Sequence, residues 1–208
     1  MSAERTIARN GESGAALLEF TVVVMVFLLV LFGTVEFSYL FYQWNAATKA
    51  VQFGARLAAV SPPVSSDLSA LTGMEGGTLP GGAMEPFNRA CVGATGVCSG
   101  GTYSATAMQT LVYGRGNTVC VNPPQSQLTI GMCNLFWRIT PQNVTVSYNY
   151  TGLGYAGRPG GPVPTITVEL SGLTFQYIFL NGLVPGLSSK SLPGFRTTMT
   201  GEDLGNGV

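Results

Sequence analysis

The chain contains no histidine. A Ser–His–Asp or Cys–His catalytic set is therefore excluded. Charge is also scarce. Lysine, arginine, aspartate and glutamate make up 10% of the residues and sum to zero, against about 25% in an average soluble domain. That leaves no basic face for a nucleic-acid partner. Proline is missing from the first 60 residues, and only four of the 28 glycines fall there; the other 24 glycines and all 12 prolines lie in the remaining 148. The composition changes at "AAVSPPVSSD" (Ala58–Asp67), where Pro62 and Pro63 stop a helix. At 208 residues the chain suits one domain, or one domain and an anchor.

What the first third does contain is a long apolar run. From Phe20 to Val35 no residue is charged, and only Thr21, Gly33 and Thr34 dilute the Val, Leu, Phe and Met. With Ala15–Leu18 before it, the run reaches the roughly 20 residues that span a bilayer. A buried core helix and a cleaved secretory signal are the competing accounts. The signal requires an apolar region of about 7–15 residues and then a small-residue cleavage site, whereas bulky "LFGTVEFSYLFYQW" follows here. A retained anchor is the expectation.

No proline interrupts before Pro62, so one helix is predicted from about Ala15 to Ala59. At 1.5 Å per residue it is roughly 65 Å long, twice a bilayer. Beyond the membrane its predicted buried stripe is Phe37, Leu40, Trp44, Ala47, Val51, Gly54 and Ala58, with Lys49, Gln52 and Arg56 off it. That stripe packs either on the chain's own domain or on neighbouring subunits.

All four cysteines, Cys91, Cys98, Cys120 and Cys133, follow the span, spaced C-x6-C and C-x12-C. A zinc site usually has tighter pairs or histidine partners. Two disulfides fit better, and these persist in an oxidising compartment such as the bacterial periplasm. Three connectivities are open, Cys91–Cys98 with Cys120–Cys133 being preferred, and a buried free thiol is a further alternative. Lysine and arginine counts flanking the span are close to a tie and set no orientation.

Within the later residues, Val144, Val146, Tyr148 and Tyr150 alternate with polar residues, as do Ile166, Val168 and Leu170. Both read as strands, joined through the loop "GLGYAGRPGGPVP". "LTFQYIFLNGLVP" (Leu173–Pro185) has strand or short-helix character. "NTVCV" and "QLTIGMC" are expected to add strands, and "LSALTGM" and "MEPFNRACV" to form short helices. The sum is an α+β fold: a long N-terminal helix packed on a small antiparallel sheet. "GLGYAG" (Gly152–Gly157) matches a dinucleotide-binding pattern, but Arg158-Pro159-Gly160-Gly161-Pro162 follows and opens no helix to receive a phosphate. "NVT" and "NYT" are formal glycosylation sequons without further support. Asp67, Glu75, Glu85, Glu169, Glu202 and Asp203 are scattered and form no close carboxylate pair at a strand end. No catalytic constellation, cofactor motif or metal site is expected.

One detail of the apolar run stands out. Gly14 is followed by four small or apolar residues, then Glu19 and Phe20. A carboxylate at membrane depth costs roughly 2.5–3.5 kcal/mol on insertion scales. The pattern resembles the cleavage motif of type IV prepilins in its Flp/Tad form. The wider stretch Ser13–Ala59 resembles the TadE-like family, through Glu19-Phe20, Glu36-Phe37, the aromatic run Tyr39–Tyr42, Ala46-Ala47 and Gly54-Ala55-Arg56. Ser38-Tyr39 depart from the pattern, which has a glycine and a basic residue after the second Glu-Phe.

The resemblance implies a pilin-like α+β protein, a minor pilin or pseudopilin of the Tad (Flp) type IV pilus. It implies cleavage after Gly14 by a prepilin peptidase, with Ala15 as the mature N-terminus. The organisation it implies is a leader over 1–14, a transmembrane and extended helix over 15–60, and a Gly/Pro-rich periplasmic domain over 61–208. Its partners would be other pilins and minor pilins, the peptidase, an inner-membrane assembly platform and the lipid bilayer. Glu19 would pair with the Ala15 amine of a neighbouring subunit. Glu36, about 25 Å further along the helix, is the second acid with an assembly or boundary role. The function class that competes with this is a periplasmic binding protein or enzyme that keeps its N-terminal anchor.

Overall fold

Pro62 and Pro63 end the first element where expected. In the computed structural model, which describes residues 4–179, 189–201 and 204, helix α1 runs Glu4–Val60. Its side chains are described from residue 14 onward. The chain divides into two compact units: Met1–Tyr42 with Gln176–Lys190, and Gln43–Phe175 with Ser191–Val208. Helix α1 contributes to both.

In the first unit the helix keeps its bulky side chains uncovered. Leu17, Leu18, Phe20, Met25 and Leu29 are all exposed. The most apolar 18-residue window has a mean hydropathy of 2.8, and none of it is buried by the chain. A soluble helix of this composition would hide one face. α1 therefore fits a single-pass membrane anchor.

In the second unit the same helix changes character. Ala46, Ala47, Ala50, Val51, Gly54, Ala55, Ala58 and Ala59 are buried, and Lys49, Gln52 and Arg56 face out. The predicted stripe is corrected here. Its later members are buried, but Phe37 and Trp44 are exposed, and Gln43 is buried instead. Small residues line this face because the helix lies close to its neighbours. A Cβ built on Gly54 would sit 2.5 Å from the Met132 sulfur. Trp44 meets Phe195 edge-on at 5.0 Å between ring centroids.

The sheet of this unit has five antiparallel strands in the order β2-β1-β3-β4-β7. The strands are β1 (Asn88–Val92), β2 (Val97–Ser99), β3 (Val144–Asn149), β4 (Thr165–Leu170) and β7 (Phe195–Thr200). Two short strands, β5 (Thr174–Gln176) and β6 (Ser189–Ser191), form a separate ladder. The alternation in β3 is realised: Val144, Val146 and Tyr148 are buried, opposite Leu170, Val168 and Ile166 of β4. Helix on antiparallel sheet makes the fold α+β, as its sequence pattern predicts.

Four local expectations are corrected. "MEPFNRACV" holds strand β1, not a helix. Helix propensity in Met, Glu and Ala is a weak preference, and here β1 finds ladder partners on both sides, β2 and β3. "NTVCV" and "QLTIGMC" carry no strand; they give a loop, a 3₁₀ turn at Gln127–Thr129 and helix α3 (Met132–Leu135). Pro123 and Pro124 lie between them and lack the N–H that a ladder needs. "LSALTGM" shrinks to a 3₁₀ turn at Ser66–Ser69. Gly73 follows at φ +75°, outside helical space. A helix not foreseen, α2 (Ala105–Tyr113), is capped by the Ser104 hydroxyl, which accepts the Ala107 N–H. Residues 180–185 of "LTFQYIFLNGLVP" lie outside the described residues.

Candidate functional site

Helix α1 passes through Gly14 without a break. A Cβ added there would meet nothing within 4 Å. The chain's own packing does not require the glycine, which costs a helix interior about 1 kcal/mol relative to alanine. Gly33 is equally open, but membrane helices carry glycine more often than soluble ones. Ala15, Glu19 and Phe20 are all exposed.

Between Gly14 and Ser38 the polar side chains are Glu19, Thr21, Thr34, Glu36 and Ser38. Three are hydroxyls that donate to helix carbonyls: Thr21 to Leu17 at 2.7 Å, Thr34 to Leu31 at 2.8 Å and Ser38 to Thr34 at 2.8 Å. Such back-bonding hides a hydroxyl where water is absent. Glu36 is 3% exposed, and its two oxygens accept backbone N–H groups from Ile178 at 2.6 Å and Phe179 at 2.9 Å. Glu19 alone of the five has no hydrogen bond or ion pair to a described residue.

The sequence paired both acids as assembly residues, yet their surroundings are opposite. The carboxylate of Glu36 is already used within its own chain. Its partner segment also supplies Phe179, which stacks on Phe32 at 4.9 Å between centroids. Sequence reasoning missed this link because Ile178 and Phe179 lie more than 140 positions away. The available signal was a buried-type acid ending one apolar run and a second uncharged stretch, residues 170–189, late in the chain.

The cysteines join in sequence-neighbour pairs, Cys91 to Cys98 and Cys120 to Cys133. Cys91 and Cys98 face each other directly in the β1–β2 register. The second bridge ties the irregular segment before α3 to that helix. All four cysteines are consumed in these bonds.

Two polar anchors hold the turn after α1 to the sheet. Asp67 accepts from the Ser65 hydroxyl and pairs with Arg89 of β1 at 2.8 Å. Partial burial pushes the Asp67 carboxyl up, but the Ser65 hydroxyl and the Arg89 guanidinium outweigh it and hold the pKa below the usual value. The Tyr148 hydroxyl, fully buried, accepts the Val64 N–H at 2.9 Å. Burial raises its pKa well above the usual phenol range.

"GLGYAG" lies in turns between β3 and β4, and no helix follows it. Among the described residues no group of three or more His, Cys, Asp or Glu is placed to hold a metal ion.

Residues 14–56 match the family model described as TadE-like protein. The matched segment begins at Gly14 and ends within the alanine-lined part of α1. The match covers this helix alone, and the TadE-like family to which it points is one of Tad pilus assembly. No curated protein and no solved structure matches the chain.

Proposed function

We propose that the chain is a minor pilin or pseudopilin of the Tad (Flp) type IV pilus, matured by a prepilin peptidase that cuts after Gly14. The observation that carries this is Glu19. Every other polar side chain of the span has a partner within the chain, and among the described residues this acid has none. An unpaired carboxylate at membrane depth favours a partner from outside. Cleavage would create an amine at Ala15, about one turn away on the helix, and the same amine on a neighbouring subunit is a suitable counter-charge. The start of the family match at Gly14 supports the same cut.

In this account residues 1–14 are a leader and 15–60 the anchor and extended helix. Residues 61–208 form the exodomain, whose disulfide-bonded part lies on the oxidising side of the inner membrane, where two disulfides persist. Other pilins, the peptidase and the assembly platform are its partners.

Mass spectrometry of the N-terminus, with and without the peptidase, tests this. Loss of Met1–Gly14 only when the peptidase is present is the expected result. An intact Met1 would sink the pilin account and leave a protein with an uncleaved anchor.

A further inference from the structure

We propose that Tyr177–Phe179 is a second membrane-inserting element, tethered to Glu36, that places the Ile178 and Phe179 side chains in the lipid leaflet meeting Phe32. This rests on α1 spanning the bilayer.

The first argument is depth. Phe32 lies 17 residues after Ala15, roughly 25 Å along the helix. A hydrocarbon core about 30 Å thick that begins near Ala15 therefore still covers it. Phe179 is stacked on Phe32, so its ring shares that depth.

The second argument is the backbone. Residues 177–179 are not helical. Non-helical backbone is tolerated near hydrocarbon only where its polar groups are satisfied by protein. The N–H groups of Ile178 and Phe179 are both satisfied, by the two oxygens of one carboxylate. In water such donors would need no dedicated acceptor. The arrangement also leaves both oxygens of Glu36 with a donor at the edge of the span.

The third argument is the surface presented. Ile178 is 52% exposed and Phe179 38% exposed, next to the uncovered apolar side chains of α1. No charged residue occurs between Glu169 and Lys190. The exposed apolar surface of the segment is continuous with that of the span, which makes lipid its occupant.

The test uses the full chain with its disulfides intact, so that a single introduced cysteine is the one reactive thiol. Ile178→Cys, Met25→Cys and Ala94→Cys are each labelled with an environment-sensitive nitrobenzoxadiazole dye and reconstituted in phosphatidylcholine vesicles. Met25 is mid-span; Ala94 is an exposed residue of the β1–β2 hairpin. Emission at 178 should be blue-shifted and lost when lipids spin-labelled near the headgroup are added, as no loss occurs at 94. Emission at 178 that behaves as at 94 overturns the proposal. So does a label at 178 shielded from both the spin-labelled lipid and aqueous iodide, which would assign the segment to contact with a second copy of the chain. If the Met25 label also escapes deep spin-labelled lipid, the span itself is wrong, and that failure is separate from failure at 178 alone.

Discussion

Glu36 and Phe179, 143 positions apart in sequence, are joined by a hydrogen bond of 2.9 Å from the Phe179 N–H to the Glu36 carboxylate. The neighbouring Ile178 N–H donates to the other oxygen. One acid on α1 thus fixes two consecutive peptide groups from the far end of the chain. Glu36→Ala should release them. A hydrogen bond to a charged acceptor is worth about 1.5–3 kcal/mol, so amide exchange at Ile178 and Phe179 should accelerate by about tenfold or more. Glu36→Gln, which keeps an acceptor, should fall between. Unchanged protection in Glu36→Ala, read by exchange and mass spectrometry, would show that the contact does not hold the segment.

Glu19 predicts the opposite kind of effect. Among the described residues no hydrogen bond or ion pair depends on it, so Glu19→Ala should insert in the membrane and keep its thermal stability. Under the proposed function pilus output should fall, because the partner it would lose is on another subunit. Wild-type piliation in that variant would remove the assembly role. Gly14→Leu separates the two steps of the proposed pathway. The open space at Gly14 accepts a side chain without disturbing α1, so a precursor that accumulates uncut would report on the peptidase and not on misfolding.

The two disulfides should differ in what they hold. Loop-closure entropy gives about 2.5 kcal/mol for the shorter loop and about 3 kcal/mol for the longer one. Cys91 and Cys98 are already registered by the β1–β2 ladder, so Cys91→Ser with Cys98→Ser should lower the melting temperature while leaving β1 paired with β3. Cys120 lies in a segment without strand or helix. Loss of its bridge should open that segment to protease before the domain melts. Equal protease resistance of the two double variants would contradict this division.

Gly54 is a point of close approach between α1 and α3. Gly54→Leu should overpack against Met132 and cost about 1–3 kcal/mol. Met132→Ala made in the same chain should recover part of that loss, although alone it opens a cavity and destabilises. A double-mutant cycle by denaturant melting measures the coupling. Strict additivity would mean that the two residues do not share the space.

Asp67 gives a pH-dependent term. Its folded pKa is depressed by Ser65 and Arg89 against the opposing effect of burial. The unfolded value is about 3.9. Its contribution is therefore present above about pH 4 and is lost as pH falls through the lower folded value. The pair is partly exposed, so the contribution is small, about 1 kcal/mol or less. Asp67→Asn should be less stable than the parent at pH 7, and the gap should close in acid. A gap that persists at low pH would mean that packing, not charge, separates the two proteins.

Much of the fold was legible because its signals are long and local. The uninterrupted apolar run, Pro62-Pro63 and the alternation of Val144, Val146 and Tyr148 each act over a few neighbouring residues. Strand β1 was not legible, since its conformation is decided by ladders to β2 and β3 rather than by its own composition. The helix stripe was misphased between Phe37 and Trp44 because large apolar residues were expected to face protein. In a helix that enters a membrane, large residues also face lipid, and periodicity does not separate the two. At the candidate site, Gly14, Glu19 and Phe20 stand together in the sequence. The Glu36 link depends on chain folding across more than 140 positions and leaves no periodic trace.

The side chains of α1 record which solvent surrounds each stretch. From Leu17 to Tyr42 most are wide and uncovered; from Ala46 onward the inner face is mainly alanine and glycine. Lipid conforms to any contour, so the first stretch is free to vary in shape as long as it stays greasy. A folded domain is a fixed mould, so the second stretch has little such freedom. A substitution such as Val→Phe should therefore pass unnoticed at position 23 and be rejected at position 51, although both residues are valines on the same helix.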